Sequence, residues 1–356
     1  VKRRGSSAAG ALLDVVEPGS AHPKPVREVF ESRPRLTIPD SLIEGHSLHF
    51  EEGGQIVAGL GHVTPETVGA RAWDVDTGRL LRTKPGPLGV TQGLALDPIH
   101  AAGRRRDGSV RVWHASAADI DYVIPTPHAK SLTGAALAPF DVEGTRMATW
   151  GVVQTPAGGD LDEIKVWWTQ TGKLLRTHRD VRVNVLSFSA DGKTMASAGL
   201  DRRVTLWDAA TGEVLRTLSG HRGPILALAF APDGKTLATG DASYEGRVQS
   251  SGGRIGWKAI SGEVKLWDLA TGQPRRTFTG LGHGIGAVAV SPDGTRVAGA
   301  TYYGGITRVW DASTGATLKT FAVPGVAGVD AQFTPDGREL ATVGSEGIIR
   351  IWDSGR

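Results

Sequence analysis

Seven tryptophans, each closing a short stretch of alternating apolar and polar residues, constrain this chain more than any other feature. They stand in RAWD (Trp73), RVWH (Trp113), KVWW (Trp167), TLWD (Trp207), KLWD (Trp267), RVWD (Trp310) and RIWD (Trp352). Successive spacings are 40, 54, 40, 60, 43 and 42 residues. Four of the six fit one four-stranded repeat unit, and the other two read as one unit plus an insertion. A unit of that length cannot bury its own apolar face, so the copies must stack on one another.

The clearest unit is TGEVLRTLSGHRGPILALAFAPDGKTLATG, residues 211–240. Thr211-Gly212 makes a tight turn in which glycine supplies a positive φ, and Val214 to Leu218 reads as an outer strand. Gly220-His221 forms the crossing to the next unit. Leu226, Leu228 and Phe230 alternate with Ala227 and Ala229, small residues suited to a crowded inner strand. Pro232-Asp233-Gly234 is a hairpin turn that returns along Lys235 to Thr239. The hairpin signal recurs at Asp191-Gly192, Asp293-Gly294 and Asp336-Gly337, and the outer turn at Thr77-Gly78, Thr171-Gly172, Thr271-Gly272 and Thr314-Gly315. This turn density accounts for 49 glycines in 356 residues, about twice the usual ~7%. Helical periodicity is almost absent, so the fold class is all-β.

These motifs resemble those of the WD-repeat (WD-40) β-propeller family over about residues 33 to 356. The resemblance implies a seven-bladed ring serving as a rigid platform for protein–protein interaction, with no catalytic activity. The chain stops at Trp352-Asp353-Ser354, in what would be the third strand of a seventh blade, while Arg35-Leu36-Thr37-Ile38 stands where an outer strand belongs. The N-terminal segment is therefore expected to complete the last blade, as in the family, removing open strand edges. Residues 1–30 are expected to be a flexible leader and 31–356 the propeller. Lys2, Arg3 and Arg4 imitate the start of a signal peptide, but Asp14 and Glu17 interrupt the apolar stretch that should follow. Val1 in place of Met fits either a fragment of a longer protein or a start codon translated literally.

Well-formed blades of the family bury a quartet: His at the crossing, Ser or Thr on the second strand, Asp in the next turn, and the Trp. Carried over, blade four offers Ser197, Asp201 and Trp207, with Arg179 at the His position and His178 one residue off. Blade five offers His221, Thr239 and Trp267, its acidic position disturbed by an insertion. Blade three offers His128, Thr149 and Trp167. Pro87, Leu281 and Pro324 replace the His elsewhere, and His283 is shifted by two positions. These groups share the composition of a catalytic triad, yet satisfying one another inside a blade is sufficient reason for them. Asp208, Asp268 and Asp311, after the strand Trp, read as turn residues. His46, His49 and His62 lack carboxylates and are poor metal ligands as a set. The chain holds neither a P-loop nor a nucleophile elbow. No catalytic residue, metal or cofactor is expected.

In an up-and-down blade, the second-to-third strand loops share one face with the blade crossings. Blades one, three and five lengthen that loop, the longest being DASYEGRVQSSGGRIGWKAISG after Gly240. The face should gather Trp150, Tyr244, Trp257, Tyr302 and Tyr303 with Arg104, Arg105, Arg106 and Arg202, residue types that suit an interaction hot spot. Trp257 anchoring its own loop and the arginines lying on a solvated turn is the plainer alternative. Net charge is only +3, from 40 Lys+Arg against 37 Asp+Glu, which disfavours a large phosphate footprint. No apolar run reaches the ~18 residues of a membrane span, and the absence of cysteine excludes disulfides without choosing a compartment. The expectation is a monomeric, non-catalytic scaffold binding a protein or peptide, with the cytoplasm favoured, either on its own or as one domain of a larger regulatory protein. A propeller hydrolase or lyase and a nucleic-acid platform stand as alternatives.

Overall fold

The computed structural model describes residues 12–15, 26–29, 33–39, 43–64, 67–87, 90–96, 100–106, 109–114, 121–124, 140, 145–154, 160–179, 183–249 and 255–355. Seven small antiparallel sheets follow one another along the chain and form a seven-bladed propeller. Blade one comprises Ile43–Glu51, Ile56–Thr64, Thr67–Asp74 and Leu80–Pro85, and blade two Val90–Leu96, His100–Arg105, Val110–His114 and Asp121–Ile124. Blade three has Arg146–Gln154, Asp160–Trp168 and Lys173–Arg179, with an isolated bridge from Phe140 to Met147 at its inner edge. Blade four is the most regular: Val185–Phe188, Thr194–Ala198, Arg203–Asp208 and Val214–Ser219. Blade five (Ile225–Phe230, Thr236–Asp241, Val264–Asp268, Pro274–Phe278) carries a separate inserted hairpin, Ser243–Gln249 with Ile255–Ser261. Blade six is Ile285–Val290, Arg296–Thr301, Ile306–Asp311 and Thr317–Ala322.

Blade seven (Gly328–Phe333, Glu339–Gly344, Ile349–Asp353) takes its outer strand from the N-terminal side of the chain. Leu36, Thr37 and Ile38 pair antiparallel with Ile351, Arg350 and Ile349, closing the ring. Arg35 reinforces the seam by donating to the Val75 carbonyl at 2.9 Å and pairing with Glu339. Within the stretch expected to be a leader, Leu12–Val15 pairs with Val26–Val29 in a small sheet of its own.

The signature tryptophans hold the ring together because each packs into the blade before its own. Trp207 of blade four lies among Ile164, Val166 and Met195, Trp267 among Leu206 and Leu218 of blade four, and Trp352 among Val309 and Phe321 of blade six. Trp73 of blade one packs on Ile349 and Ile351 of blade seven, so the same device spans the closure. All seven are buried. Truncating a buried aromatic of this kind costs about 3–5 kcal/mol. A β-bulge falls at five of the seven tryptophans, Trp113 and Trp352 being the exceptions, which adds twist where indole meets neighbour.

On the opposite face from the insertions, turn chemistry repeats with equal regularity. Asp208, Asp268 and Asp311 each accept the N–H of the turn threonine three residues on, at 2.7–2.8 Å, as turn residues do. An arginine from each preceding blade then clasps that turn. Arg176 donates to the Thr211 carbonyl, Arg216 to Thr271 and Ala270, and Arg276 to Thr314, all within 2.9–3.1 Å.

Candidate interaction face

Blade five contains a complete buried polar chain. The Trp267 indole N–H donates to Thr239 Oγ1 at 2.7 Å, and His221 Nε2 lies 2.6 Å from the same oxygen. On its other side, His221 Nδ1 lies 3.1 Å from Asp241 Oδ2. Asp241 is the fourth member, and sequence reading missed it by treating the acidic position as disturbed. The signal was its spacing: two residues beyond Thr239 on one strand, hence on the same face. Asp241 Oδ1 also accepts the Glu263 N–H at 2.7 Å, and Oδ2 accepts those of Arg222 and Gly223 at 3.2 and 3.1 Å. Burial opposes its charge, but the His221 ring and these N–H groups together outweigh it and hold the carboxyl below its ordinary range. Asp241 and Glu263 flank the inserted hairpin, so the intact quartet clamps its base.

Blades three, four and seven keep only the inner pair. Trp167 donates to Thr149 and Trp207 to Ser197, both at 2.8 Å, and Trp352 to Thr342 at 2.9 Å. Thr342 was also missed, although it stands ten residues before its Trp, as Ser197 does. Asp201, expected in the blade-four quartet, is instead exposed and accepts the Arg203 N–H of its own turn at 3.1 Å. Among the described residues no His reaches it. His178 packs its ring, tilted by 44°, against the Trp207 indole with centroids 4.5 Å apart, and burial followed by the Arg176 charge lowers its pKa. His128 lies outside the described residues. Trp113 has Gly103 where the hydroxyl would be, and its indole N–H is buried with no acceptor among the described residues.

Connections between second and third strands lie on one face with the blade crossings. The extensions in blades one and three are prolonged β-ladders rather than loops, because Ile56–Thr64 with Thr67–Asp74, and Arg146–Gln154 with Asp160–Trp168, stay paired to their tips. That corrects Trp150: it pairs with Ile164 inside the ladder, is only 6% exposed and packs among core residues, so it offers nothing to a partner. Arg104 and Arg105 belong to a strand and are half-buried, leaving Arg106 as the exposed member of that run. Trp257 pairs in register with Arg247 across the inserted hairpin.

Three tyrosines do come together. Tyr302 and Tyr303 are 45% and 58% exposed, with ring centroids 4.7 Å apart, edge to face. Tyr244, at the root of the blade-five hairpin and 40% exposed, has its phenol pKa raised by burial and by the nearness of Tyr302 and Tyr303. The turn that displays the pair needs Gly304 and Gly305: both have positive φ, and a Cβ on Gly305 would lie 1.7 Å from the Val323 carbonyl oxygen. His283 packs against Gly304, which gives that displaced histidine a supporting place beneath the turn. Backbone bonds brace the neighbourhood in each blade: Ile225 N–H to Gly199 joins blade five to blade four, Ala242 to Pro224 lies within blade five and Tyr302 to Gly284 within blade six, at 3.0, 3.0 and 2.6 Å. On the blade-four side of this chain stand Leu200 and Arg202, both exposed.

A cavity of about 540 Å³ lies among the inner strands of the ring, walled by Phe50, Phe188, Phe230 and Phe333 with Asp330 and His49. Asp330 uses its carboxylate structurally. Oδ2 accepts the Leu48 N–H at 2.9 Å and Oδ1 that of Ala331 at 2.8 Å, and burial pushes its pKa up to about 6 despite those donors.

The family model described as "WD domain, G-beta repeat" matches residues 169–208, 212–250, 272–311 and 315–353. Among curated proteins, WD repeat-containing protein SL1-17 of Schistosoma mansoni is 30% identical over 193 residues, 45% of this chain and 64% of that protein. Eukaryotic translation initiation factor 3 subunit I of Aspergillus fumigatus is 33% identical over 129 residues, 36% of this chain and 32% of that protein. Mitochondrial division protein 1 of Pyricularia oryzae is 26% identical over 226 residues, 59% of this chain and 30% of that protein. The chain thus spans less than two thirds of the length of each of these relatives. The four matched segments lie in the half of the chain where the turns, clasps and Trp–hydroxyl pairs are most regular.

Proposed function

Because this chain is a WD-repeat β-propeller, a member of a family whose propellers typically act as protein-interaction scaffolds, we propose that it binds a protein or peptide across blades four to six. The surface is the face of the second-to-third strand connections. The observation that carries this reading is the cluster of Tyr244, Tyr302 and Tyr303, exposed together on a rigid, glycine-dependent support. Tyrosine supplies large contact area with few rotatable bonds, and exposed aromatic clusters mark interaction surfaces. One relative is by name a subunit of a translation initiation factor, which accords with a role in assembly.

The test compares affinity capture by the wild type with two variants. One carries Tyr302→Ala and Tyr303→Ala together; the other replaces residues 242–262 by a short turn. Loss of the same captured proteins in both is the expected result. An unchanged set in both variants, with each melting as a folded propeller, overturns the assignment of this face.

A further inference from the structure

Arg202 holds a backbone conformation that its turn would more easily give to glycine. Its φ is +65°, and among the described residues it is the one non-glycine with a positive φ. Blade seven has the same turn with glycine in that place: Gly347 has φ +75° and donates to the Gly344 carbonyl, as Arg202 donates to that of Gly199. L-residues with a long side chain are strained in this region, so glycine is the relaxed choice. Such strain persists most often where a side chain is needed for function.

The side chain itself has no structural employment. Arg202 is exposed, and its guanidinium makes no hydrogen bond or ion pair among the described residues. The Arg203 guanidinium beside it is equally unengaged. Arg222, on the adjoining crossing, is 81% exposed along its side chain and has only the Glu263 carboxylate at 3.6 Å, which Lys265 holds more closely at 3.1 Å. Asp201, the remaining acid of the turn, accepts from its own backbone. Leu200, 55% exposed, lies at the same turn, and the Gly199–Ile225 and Pro224–Ala242 bonds join this turn to the root of the hairpin that carries Tyr244.

We propose that Arg202, with Arg203 and Arg222, is the charge-reading end of the face, and that the occupant is an acidic peptide segment of a partner protein. Its carboxylates pair with the guanidinium forks, and its apolar side chains lie on Leu200 and the tyrosines. This rests on the reading of the face given above and adds the partner's chemistry. The strain at Arg202 is then the cost of placing a guanidinium at the rim of an apolar surface, where it steers and orients an anionic partner.

Selection from a library of random unphosphorylated peptides on the immobilised full chain tests the proposal, followed by fluorescence anisotropy with the selected peptides. Enriched peptides are expected to carry Asp or Glu beside an apolar residue. Arg202→Gly should weaken them about tenfold, the worth of one charge-assisted bond, while melting no lower than the wild type. Arg202→Lys should recover only part of the affinity, since an ammonium lacks the fork. The Tyr302→Ala, Tyr303→Ala protein should lose binding as well. Peptides that need the tyrosines but show no acidic enrichment and tolerate Arg202→Gly overturn the acidic specificity while the face reading stands. Peptides indifferent to both sets of variants, or no enrichment over the tyrosine variant, overturn both. Displacement of the peptides by a poly-thymidine oligonucleotide at equal concentration assigns the arginines to nucleic acid and also overturns the proposal.

Discussion

Replacing Asp330 by Asn should stabilise this propeller at neutral pH and cease to do so in mild acid. The carboxylate joins blade seven to blade one through Leu48 N–H, beside the apolar wall of the central cavity. Burial raises its pKa from 3.8 to about 6. Between those values the folded chain binds more protons than the unfolded chain, so stability falls as pH rises from about 4 to 6 and the whole cost is present above 6. At 1.36 kcal/mol per unit, a shift of this size amounts to at most about 3 kcal/mol at pH 7. Asparagine keeps one acceptor for Leu48 N–H and sheds the charge, at a loss of about 1 kcal/mol for the second bond to Ala331. The net gain is therefore about 1–2 kcal/mol at pH 7.5, shrinking to nothing or reversing near pH 4.5, where the wild-type carboxyl is protonated. Urea unfolding followed by tryptophan fluorescence at several pH values reads the difference directly. His49 also lines the cavity, so the series is repeated on a His49→Gln background to isolate the contribution of Asp330. A difference that stays constant from pH 4.5 to 8, or destabilisation at pH 8, refutes the assignment of an unfavourable buried charge.

Three further outcomes follow from the same contacts. Asp241→Asn should destabilise by about 2–4 kcal/mol in urea, because it loosens the His221 contact and weakens at once the bonds the carboxylate accepts from three N–H donors; a loss under 0.5 kcal/mol counts against the quartet. Deleting residues 1–25 should leave the melting temperature nearly unchanged, while deleting through Pro39 removes the strand paired with Ile349–Ile351 and should lower it sharply or abolish folding, so equal melting disproves closure by this segment. Asp268 and Asp311, held at a pKa of about 2 chiefly by the Thr271 N–H and the Ser313 hydroxyl respectively, contribute stability that is present above pH 4 and lost as pH falls toward 2. Replacing both by Asn should flatten the acid limb of the stability profile, and an unaltered acid midpoint excludes them as its source.

The repeating tryptophans made the ring legible because their physical job is the same in every blade: a wide indole filling the gap to the preceding sheet. Turn residues were legible for a similar reason, since Asp-x-x-Thr-Gly encodes its own local hydrogen bonds and needs no tertiary context. Polar burial was read less well. Asp241 escaped because the insertion that follows it disguised a same-face spacing that the strand preserves. Trp150 was misread because exposure depends on whether a long connection stays paired, and the apolar alternation that continues the ladder looks the same as an aromatic loop. Arg202 was noticed for its charge alone; its backbone strain becomes visible only when φ is known.

The strongest framework and the most open chemistry occupy the same part of the ring, and their coincidence has a mechanical reason. A hairpin inserted between the second and third strands would unzip an ordinary blade, because the two strands must still pair at its base. Blade five resists this by joining Asp241 to Glu263 in both directions: the Asp241 N–H donates to the Glu263 carbonyl at 3.1 Å, and the Asp241 carboxylate accepts the Glu263 N–H. The same carboxylate reaches across to the crossing at Arg222 and Gly223, so one buried group fixes the root of the hairpin, the position of Tyr244 and the segment carrying Arg222. A quartet that is structural in its chemistry thereby sets the geometry on which the proposed binding depends. Damage to it should reach the interaction face without touching any residue that a partner contacts.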